Sequence, residues 1–335
     1  MKRHRRRNGK PSKCTKQSHK PRRGGRRLVV TVTAKAPSTT ANLGPGFDVF
    51  GLALDAFYDK VTVSTRKKKG ITVTGSDNVP KDPSKNTAGL VIKTMAKKFG
   101  MHDGFDVRIK KGVPPGFGMG SSAASAAAAV VAFDKLFKLG LDENSLIEYA
   151  GIGEKASADS IHYDNVAAAV LGGFVIVRTN PLDVIKISPP IDLRLCVAIP
   201  HLKVPQKKTK VSRSVIPKRI NLSDSVKNLS NASAIVAGFL KKDSAMIGSS
   251  IKDVIIEPAR EHMVPGYSQV KKEALRAGAL GITISGAGPS VISFSTKKID
   301  NGKICKAMEN GFAKSKTKCQ TLICKPSKGT KIIKK

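Results

Sequence analysis

The chain has 335 residues, of which 40% are hydrophobic and 5% aromatic, and it carries a formal net charge of +36. This length suits two packed domains of roughly 150 residues each. The composition excludes a collagen, a coiled coil and a wholly disordered chain. Positive charge on this scale attracts nucleotides, RNA and membrane surfaces without selecting among them.

Residues 1–27 contain 13 Lys or Arg residues, and the first acidic residue of the chain is Asp48. This pattern predicts a disordered basic arm. Its role stays open between non-specific contact with nucleic acid, a targeting segment and a solvated surface. The five cysteines form no CxxC pair and no apolar run is long enough to cross a bilayer. We therefore expect a cytoplasmic protein that makes no membrane contact.

After the arm, the first half of the chain alternates strand-like and helix-like patterns. We predict strands at 28–33, 61–63, 71–73, 105–109 and 171–177, a loop over 37–48, and helices at 87–99, 123–139 and 143–150. In the second half we predict strands at 193–199 and on both sides of a glycine turn within 282–294, helices at 223–240 and 270–276, and a polar, basic segment at 206–218. The sequence Thr179-Asn180-Pro181 interrupts the pattern of predicted strands and helices. We therefore predict a domain boundary near residue 180, between domains 28–180 and 181–335.

The glycine-rich segment before the helix at 123–139 is the most informative local pattern. Glycines at 116, 118 and 120 let the backbone turn sharply and pass close to a ligand. Ser121 and Ser122 then stand in the first turn of a helix, where free N–H groups favour an anion. The segment lacks the Lys of a Walker A loop and the spacing of a dinucleotide-binding GxGxxG motif. A structural glycine turn is the alternative.

Three motifs, in order, resemble those of the GHMP kinase family. Residues 114–124 (PPGFGMGSSAA) resemble its signature loop, and residues 282–294 (ITISGAGPSVISF) resemble its third motif. Residues 36–52 (APSTTANLGPGFDVFGL) resemble the N-terminal motif of the homoserine kinase branch. Mevalonate and galactose kinases carry a different element there, so this motif favours the homoserine kinase branch. The resemblance covers residues 30–330.

The resemblance implies transfer of a phosphoryl group from ATP to the hydroxyl of L-homoserine, which forms O-phospho-L-homoserine in threonine biosynthesis. It implies an α+β fold in two domains. The N-terminal domain would resemble ribosomal protein S5 domain 2, and the C-terminal domain would be ferredoxin-like, with ATP in the cleft. The family usually forms homodimers, so we expect one here.

The resemblance also assigns the nucleotide and metal sites. The implied ATP-binding residues are Pro114, Pro115, Gly116, Phe117, Gly118, Met119, Gly120, Ser121, Ser122, Ala123 and Ala124, with Asn86 near the adenine. Ser122 and Glu154 are the implied Mg²⁺ ligands. So few protein ligands suit Mg²⁺, which usually keeps waters and phosphate oxygens in its octahedral shell.

An amino-acid substrate needs an acceptor for its ammonium and a cation for its carboxylate. Asp48, helped by Asn42, suits the ammonium. By resemblance, Arg213 and Arg260 bind the carboxylate, which the planar fork of Arg can grip through both oxygens.

The resemblance places His162 and Asn165 in the substrate pocket. It implies that Asn165 orients the substrate hydroxyl, with Thr209 and Arg213 near the transferred phosphoryl group. Asp164 stands beside Asn165, and the sequence leaves its role as a general base open. Two alternatives remain. One is a GHMP kinase for another small alcohol, such as mevalonate or shikimate. The other is a non-catalytic protein on the same scaffold that binds RNA or another anion through the basic arm.

Overall fold

The computed structural model describes residues 29–76, 79–156, 161–204 and 208–334, and the predicted basic arm lies outside these residues. The strands are β1 (Thr31–Ala41), β2 (Phe50–Arg66), β3 (Ile71–Thr74), β4 (Gly104–Lys110), β5 (Phe174–Thr179), β6 (Leu182–Ile187), β7 (Leu193–Pro200), β8 (Gly281–Ile284), β9 (Val291–Thr296), β10 (Cys319–Cys324) and β11 (Lys331–Ile333).

The helices lie between these strands and pack on the two sheets that they form. The helices are α1 (Thr87–Lys98), α2 (Ser121–Phe137), α3 (Glu143–Glu154), α4 (Tyr163–Leu171), α5 (Lys208–Ser214), α6 (Leu222–Lys241), α7 (Ser244–Ser249), α8 (Ile256–Arg260), α9 (Tyr267–Arg276) and α10 (Asn301–Lys314), with short 3₁₀ turns at Pro83–Lys85 and Glu261–Met263. Within the described part of the chain, none of these helices is long and apolar enough to span a bilayer.

The first sheet runs in the order β11-β1-β2-β4-β3, and β5 joins the beginning of β2 and carries β6. Strand β4 alternates as predicted, with Phe105, Val107 and Ile109 buried. The alanine-rich helix α2 is almost wholly buried against β1 and β2. Its small side chains allow this close approach to both strands.

The second sheet has the order β10-β7-β9-β8. In chain order its elements read strand, helices, two strands, helix, strand, which is the ferredoxin-like arrangement predicted for this half. Helices α9 and α10 cover one face through Val270, Ile304 and Phe312, which are all fully buried. The predicted α+β class is confirmed.

The two sheets are not divided cleanly along the chain. Residue 180 lies in the turn between β5 and β6, which are paired strands of the first sheet. The last strand, β11, returns from the C-terminal half to pair with β1. The predicted boundary at 180 stays a prediction, although the sheets themselves separate between β6 and β7.

Two local predictions were wrong, and some helices were not predicted. The segment predicted as a loop from residue 37 continues β1 as far as Ala41, because it pairs with β2 over its whole length. Leu171 ends helix α4 instead of beginning a strand. The basic segment at 206–218 contains helix α5. Helices α4 and α5 are short, and their alanine-rich or polar sequences carry little periodic signal. Helices α7, α8 and α10 were also not predicted.

Candidate active site

The loop between β4 and α2 turns at the three predicted glycines. The φ angles of Gly116, Gly118 and Gly120 are +85°, +73° and +66°, which glycine adopts without the steric cost of a side chain. Gly120 is the N-cap of α2, and no side chain in the described residues caps that end. The first-turn N–H groups and the helix dipole therefore face a space suited to phosphate.

The loop between β4 and α2, residues 111–120, is called the phosphate loop. An ion pair between Asp59 and Lys111 anchors its beginning. Asp59 on β2 is completely buried, and its Oδ1 accepts hydrogen bonds from the N–H groups of Gly112 (2.9 Å) and Val113 (3.0 Å). The ammonium of Lys111 donates to the other oxygen of Asp59 and to the carbonyl of Ser121 at 2.8 Å. One carboxylate thus fixes both the entry of the loop and, through Lys111, the first turn of α2.

The three motifs meet at the phosphate loop. The N–H of Thr39 donates to the carbonyl of Met119 at 3.0 Å. The hydroxyl of Ser285, from the third motif, donates to the carbonyl of Gly118 at 2.8 Å and lies 2.9 Å from the hydroxyl of Thr40. A Cβ at Gly118 would overlap the carbonyl of Ser285, so only glycine permits this contact.

Ser122 and Glu154 lie together, as a shared metal site requires. The Ser122 hydroxyl donates to Oε1 of Glu154 at 2.5 Å, and Glu154 is buried. Nδ1 of His162 lies 3.2 Å from Oε2 of the same carboxylate. Burial lowers the pKa of His162, but the hydrogen bond and negative charge of Glu154 outweigh it, and that pKa is raised. A hydroxyl and a carboxylate at the mouth of a phosphate loop are hard oxygen donors that fit Mg²⁺.

Asn165, at the beginning of α4, is held from two sides. Its Oδ1 accepts from the Thr39 hydroxyl at 2.8 Å, and its backbone N–H donates to Oδ1 of Asp164 at 2.7 Å. Asp164 is buried, and burial, followed by the negative charge of Asp48, raises its pKa to about 6. The side chain of Asn165 is thereby fixed near Gly120, where a Cβ would come within 3.1 Å of Oδ1.

Asp48 and Arg213 form an ion pair across the site. Nη2 of Arg213 lies 2.8 Å from each carboxylate oxygen of Asp48, and both side chains are partly exposed. The guanidinium groups of Arg213 and Arg260 lie 5.5 Å and 5.2 Å from the ring centroid of Phe47. Phe47 thus holds the two predicted carboxylate-binding cations on one ring.

Asn42 and Arg260 are tied to the third motif. Nδ2 of Asn42 and Nη1 of Arg260 donate to the carbonyl of Gly286 at 3.0 Å and 3.2 Å. The Asn42 Oδ1 accepts from the backbone N–H of Asp48 at 3.1 Å. Asn42 therefore supports the turn that presents Asp48, whose φ is +59°.

Asn86 and Thr209 lie at the edges of this cluster. Asn86 is buried; its side chain caps α1 through the Gly89 N–H and donates to the carbonyl of Pro80, both at 2.9 Å. Thr209 lies on α5, one helical turn before Arg213 and on the same face. The structure places both residues but leaves their predicted contacts with ATP as predictions.

Sequence reasoning missed Asp59, Lys111 and Lys208. Asp59 stands near Asp55 on the same strand, and the local sequence does not show that Asp59 is buried. Lys208 stands in a basic stretch of a very basic chain and gave no signal, yet its side chain is buried.

Comparison with known proteins agrees with this geometry. Residues 86–173 match the model of the GHMP kinases N terminal domain, and residues 235–314 match that of the GHMP kinases C terminal. The chain superposes on a crystal structure of homoserine kinase from Cytophaga hutchinsonii with a TM-score of 0.85 and 39% identity, covering 90% of this chain and 97% of that one. The predicted two-domain architecture, with its S5 domain 2-like N-terminal half, is confirmed.

Curated relatives point the same way. The homoserine kinase of Thermoplasma volcanium is 43% identical over 77% of this chain and 82% of its own length. That of Methanococcus maripaludis is 39% identical over 82% and 92%. This chain therefore belongs to the GHMP kinase family, in its homoserine kinase branch.

Proposed function

We propose that this protein transfers the terminal phosphoryl group of ATP to the hydroxyl of L-homoserine. The observation that carries the proposal is the grouping of Asp48, Arg213 and Arg260 beside a phosphate loop. One anion and two cations match the ammonium and carboxylate of an amino acid. A mevalonate or shikimate site would need no acceptor for an ammonium group.

The Asp48–Arg213 pair supports this assignment. A zwitterion that enters the site offers its ammonium to Asp48 and its carboxylate to Arg213, so each side chain exchanges its present partner for an opposite charge on the substrate. Because the pair is partly exposed, separating it costs little, about 1 kcal/mol or less. Arg260 is buried and fixed, and it supplies the preorganised second cation for the carboxylate.

Ser122 and Glu154 would hold Mg²⁺. When bound, this ion would neutralise negative charge that develops on the phosphate during transfer. His162 would hold Oε2 of Glu154 in place, since Nδ1 of its ring lies 3.2 Å from that oxygen. The pair thus sets the orientation of the carboxylate before any ligand arrives.

Asn165 would orient the substrate hydroxyl for in-line attack. Its side chain is fixed by Thr39 and Asp164, so little reorganisation is needed. Thr209 and Arg213 would face the transferred group. Asp164 is buried and already accepts two hydrogen bonds from Asn165, which favours a positioning role over that of a general base.

We further infer a cytoplasmic homodimer. The four described cysteines are free thiols, which supports a reducing compartment. Helix α6 exposes Leu222, Val226 and Leu229 along one face, and such a stripe supports association. Light scattering across a concentration series would report the oligomeric state.

The proposal is tested by an ADP-release assay with ATP, Mg²⁺ and L-homoserine, mevalonate, shikimate or L-serine. Turnover with homoserine alone is the expected result. Turnover with mevalonate or shikimate instead would keep the phosphate loop but discard the amino-acid pocket. No turnover with any of the four, with ATP still bound, would favour a binding protein on this scaffold.

A further inference from the structure

Lys208, the first residue of α5, has a buried amino group that the reaction described above does not use. Only 9% of the surface of Lys208 is exposed to solvent, and its amino group donates to the carbonyl of Gly288 in the third motif. Within the described part of the chain, the charged group that acts on it most is another cation, Arg260. A buried ammonium with a cationic neighbour and one carbonyl acceptor is an unstable arrangement without an anion.

The position of Lys208 indicates where that anion would lie. The carbonyl oxygen of Gly288, which accepts from Lys208, lies 2.8 Å from the point that a Cβ on Gly118 would occupy. Val204, four residues before Lys208, packs against Gly116 in the same way, with its Cγ1 at 2.8 Å from such a Cβ. Val204 and the Lys208–Gly288 contact therefore both lie beside the phosphate loop, at Gly116 and at Gly118.

Lys208 reaches the loop through the Gly288 carbonyl of the third motif. It lies on the helix that also carries Arg213, which pairs with Asp48 in the amino-acid pocket. A group held between the phosphate loop and that pocket is the one that is transferred. This last step rests on the proposed function, whereas the proximity of Lys208 to the phosphate loop does not.

We propose that the ammonium of Lys208 binds the terminal phosphate of ATP and follows it as it passes to the acceptor. Lys208 would then add a positive charge to the N–H donors at the beginning of α2. The two N–H donors of the ammonium that do not reach Gly288 are available for this contact. Burial, followed by Arg260, lowers the pKa of Lys208 to about 7, so an arriving phosphate would raise that pKa and draw a proton from solution.

The test compares ATP with ADP, in the presence of Mg²⁺ and without acceptor, by titration calorimetry on the full chain. Lys208→Gln keeps a donor for Gly288 but removes the charge, and Lys208→Met removes both. Lys210→Met, an exposed lysine of the same helix, is the matched control for net charge. We expect both Lys208 variants to weaken ATP binding about 10- to 100-fold and ADP binding less than about 3-fold.

A second readout needs no variant. Near pH 7.5 the wild-type protein should take up more protons with ATP than with ADP, measured as a slope of binding enthalpy against buffer ionisation enthalpy. Lys208→Gln should lose this difference. If ATP and ADP affinity fall equally, Lys208 only holds Gly288 in place and the proposal is wrong. Unchanged ATP affinity in the variants, or equal proton uptake with ATP and ADP, would also overturn it. Failure of homoserine turnover with the ATP preference intact would count against the proposed acceptor alone.

Discussion

Asp48 and Asp164 lie close enough to influence each other but have opposite surroundings. Asp48 is partly exposed and paired with Arg213, whereas Asp164 is buried beneath Asn165. The first can exchange partners with a ligand, and the second can only position its neighbour. Under the proposed function, this contrast suits Asp48 to substrate recognition and Asp164 to the support of Asn165.

Asp48→Asn should therefore act on the amino acid and not on the nucleotide. We expect the KM for homoserine to rise about 10- to 100-fold, because a charge-assisted hydrogen bond to the ammonium is lost. The KM for ATP should change little. Asp183→Asn, which breaks an exposed pair with Arg178 on the surface, is the matched control. An equal rise in both KM values would contradict the assignment.

Glu154→Gln tests the metal assignment. We expect kcat to fall about 100-fold or more, because an amide cannot replace a carboxylate in charge neutralisation, while thermal unfolding is nearly unchanged. Glu148→Gln, on an exposed position of the same helix, should retain activity. Near-normal turnover of Glu154→Gln, measured by ADP release at several Mg²⁺ concentrations, would remove Glu154 from the metal site.

The pKa of Asp164 makes stability depend on pH. In the unfolded chain this carboxyl has its ordinary pKa of 3.8, and in the folded protein the value is about 6. Its contribution to stability is fully present below pH 3.8 and is lost as pH rises through 6, at a total cost on the order of 3 kcal/mol. Urea unfolding between pH 4 and 8 should show that the stability of Asp164→Asn, relative to that of wild type, increases as pH rises. A constant difference across this range would show that Asp164 is not held in the protonated form.

Sequence patterns predicted the residues of this site that belong to contiguous motifs. Asn42, Asp48 and Ser122 stand within segments whose order and spacing are specific. Asp59 and Lys208 could not be assigned in this way, because their roles arise from burial and from neighbours far along the chain. Burial of a charged side chain is decided by tertiary packing and is not visible in local sequence.

At the scale of elements, the phosphate loop depends on how β2, β4 and α2 are joined. The Asp59–Lys111 pair links all three, since Lys111 follows β4 and reaches the carbonyl of Ser121 on α2. Long, periodic elements such as β4 and α2 were predicted from sequence. Short α4 and α5, which carry Asn165 and Arg213, were not, because packing against the rest of the fold supplies most of the stability of short helices.

Asp59→Asn should weaken this joint. It leaves the Lys111 ammonium without its counter-charge, and we expect a loss of about 3–5 kcal/mol in the free energy of unfolding together with weaker ATP binding. Adding Lys111→Met should recover part of the stability, because it removes the uncompensated charge. Asp106→Asn, which breaks the exposed pair with Arg66, should cost less than about 1 kcal/mol. A similar small cost for Asp59→Asn would show that the pair does not anchor the loop.

At the scale of the whole molecule, the high positive charge is separable from catalysis. Deletion of residues 1–27, which hold 13 of the cationic side chains, should leave homoserine turnover unchanged. It should weaken binding to a non-specific RNA and flatten the dependence of that binding on salt. Loss of turnover in the truncated protein would assign the arm to the catalytic unit.

The central claim is that the pocket recognises both charges of an amino acid beside the phosphate loop. The most direct test compares kcat/KM for three compounds that share a primary hydroxyl. L-Homoserine carries both the ammonium and the carboxylate. 4-Hydroxybutyrate lacks the ammonium, and 3-amino-1-propanol lacks the carboxylate. We expect kcat/KM to be about 100-fold or more lower for each analogue than for homoserine. 4-Hydroxybutyrate leaves Asp48 without its partner, and 3-amino-1-propanol leaves Arg213 and Arg260 without theirs. Comparable turnover of 4-hydroxybutyrate and homoserine would contradict it.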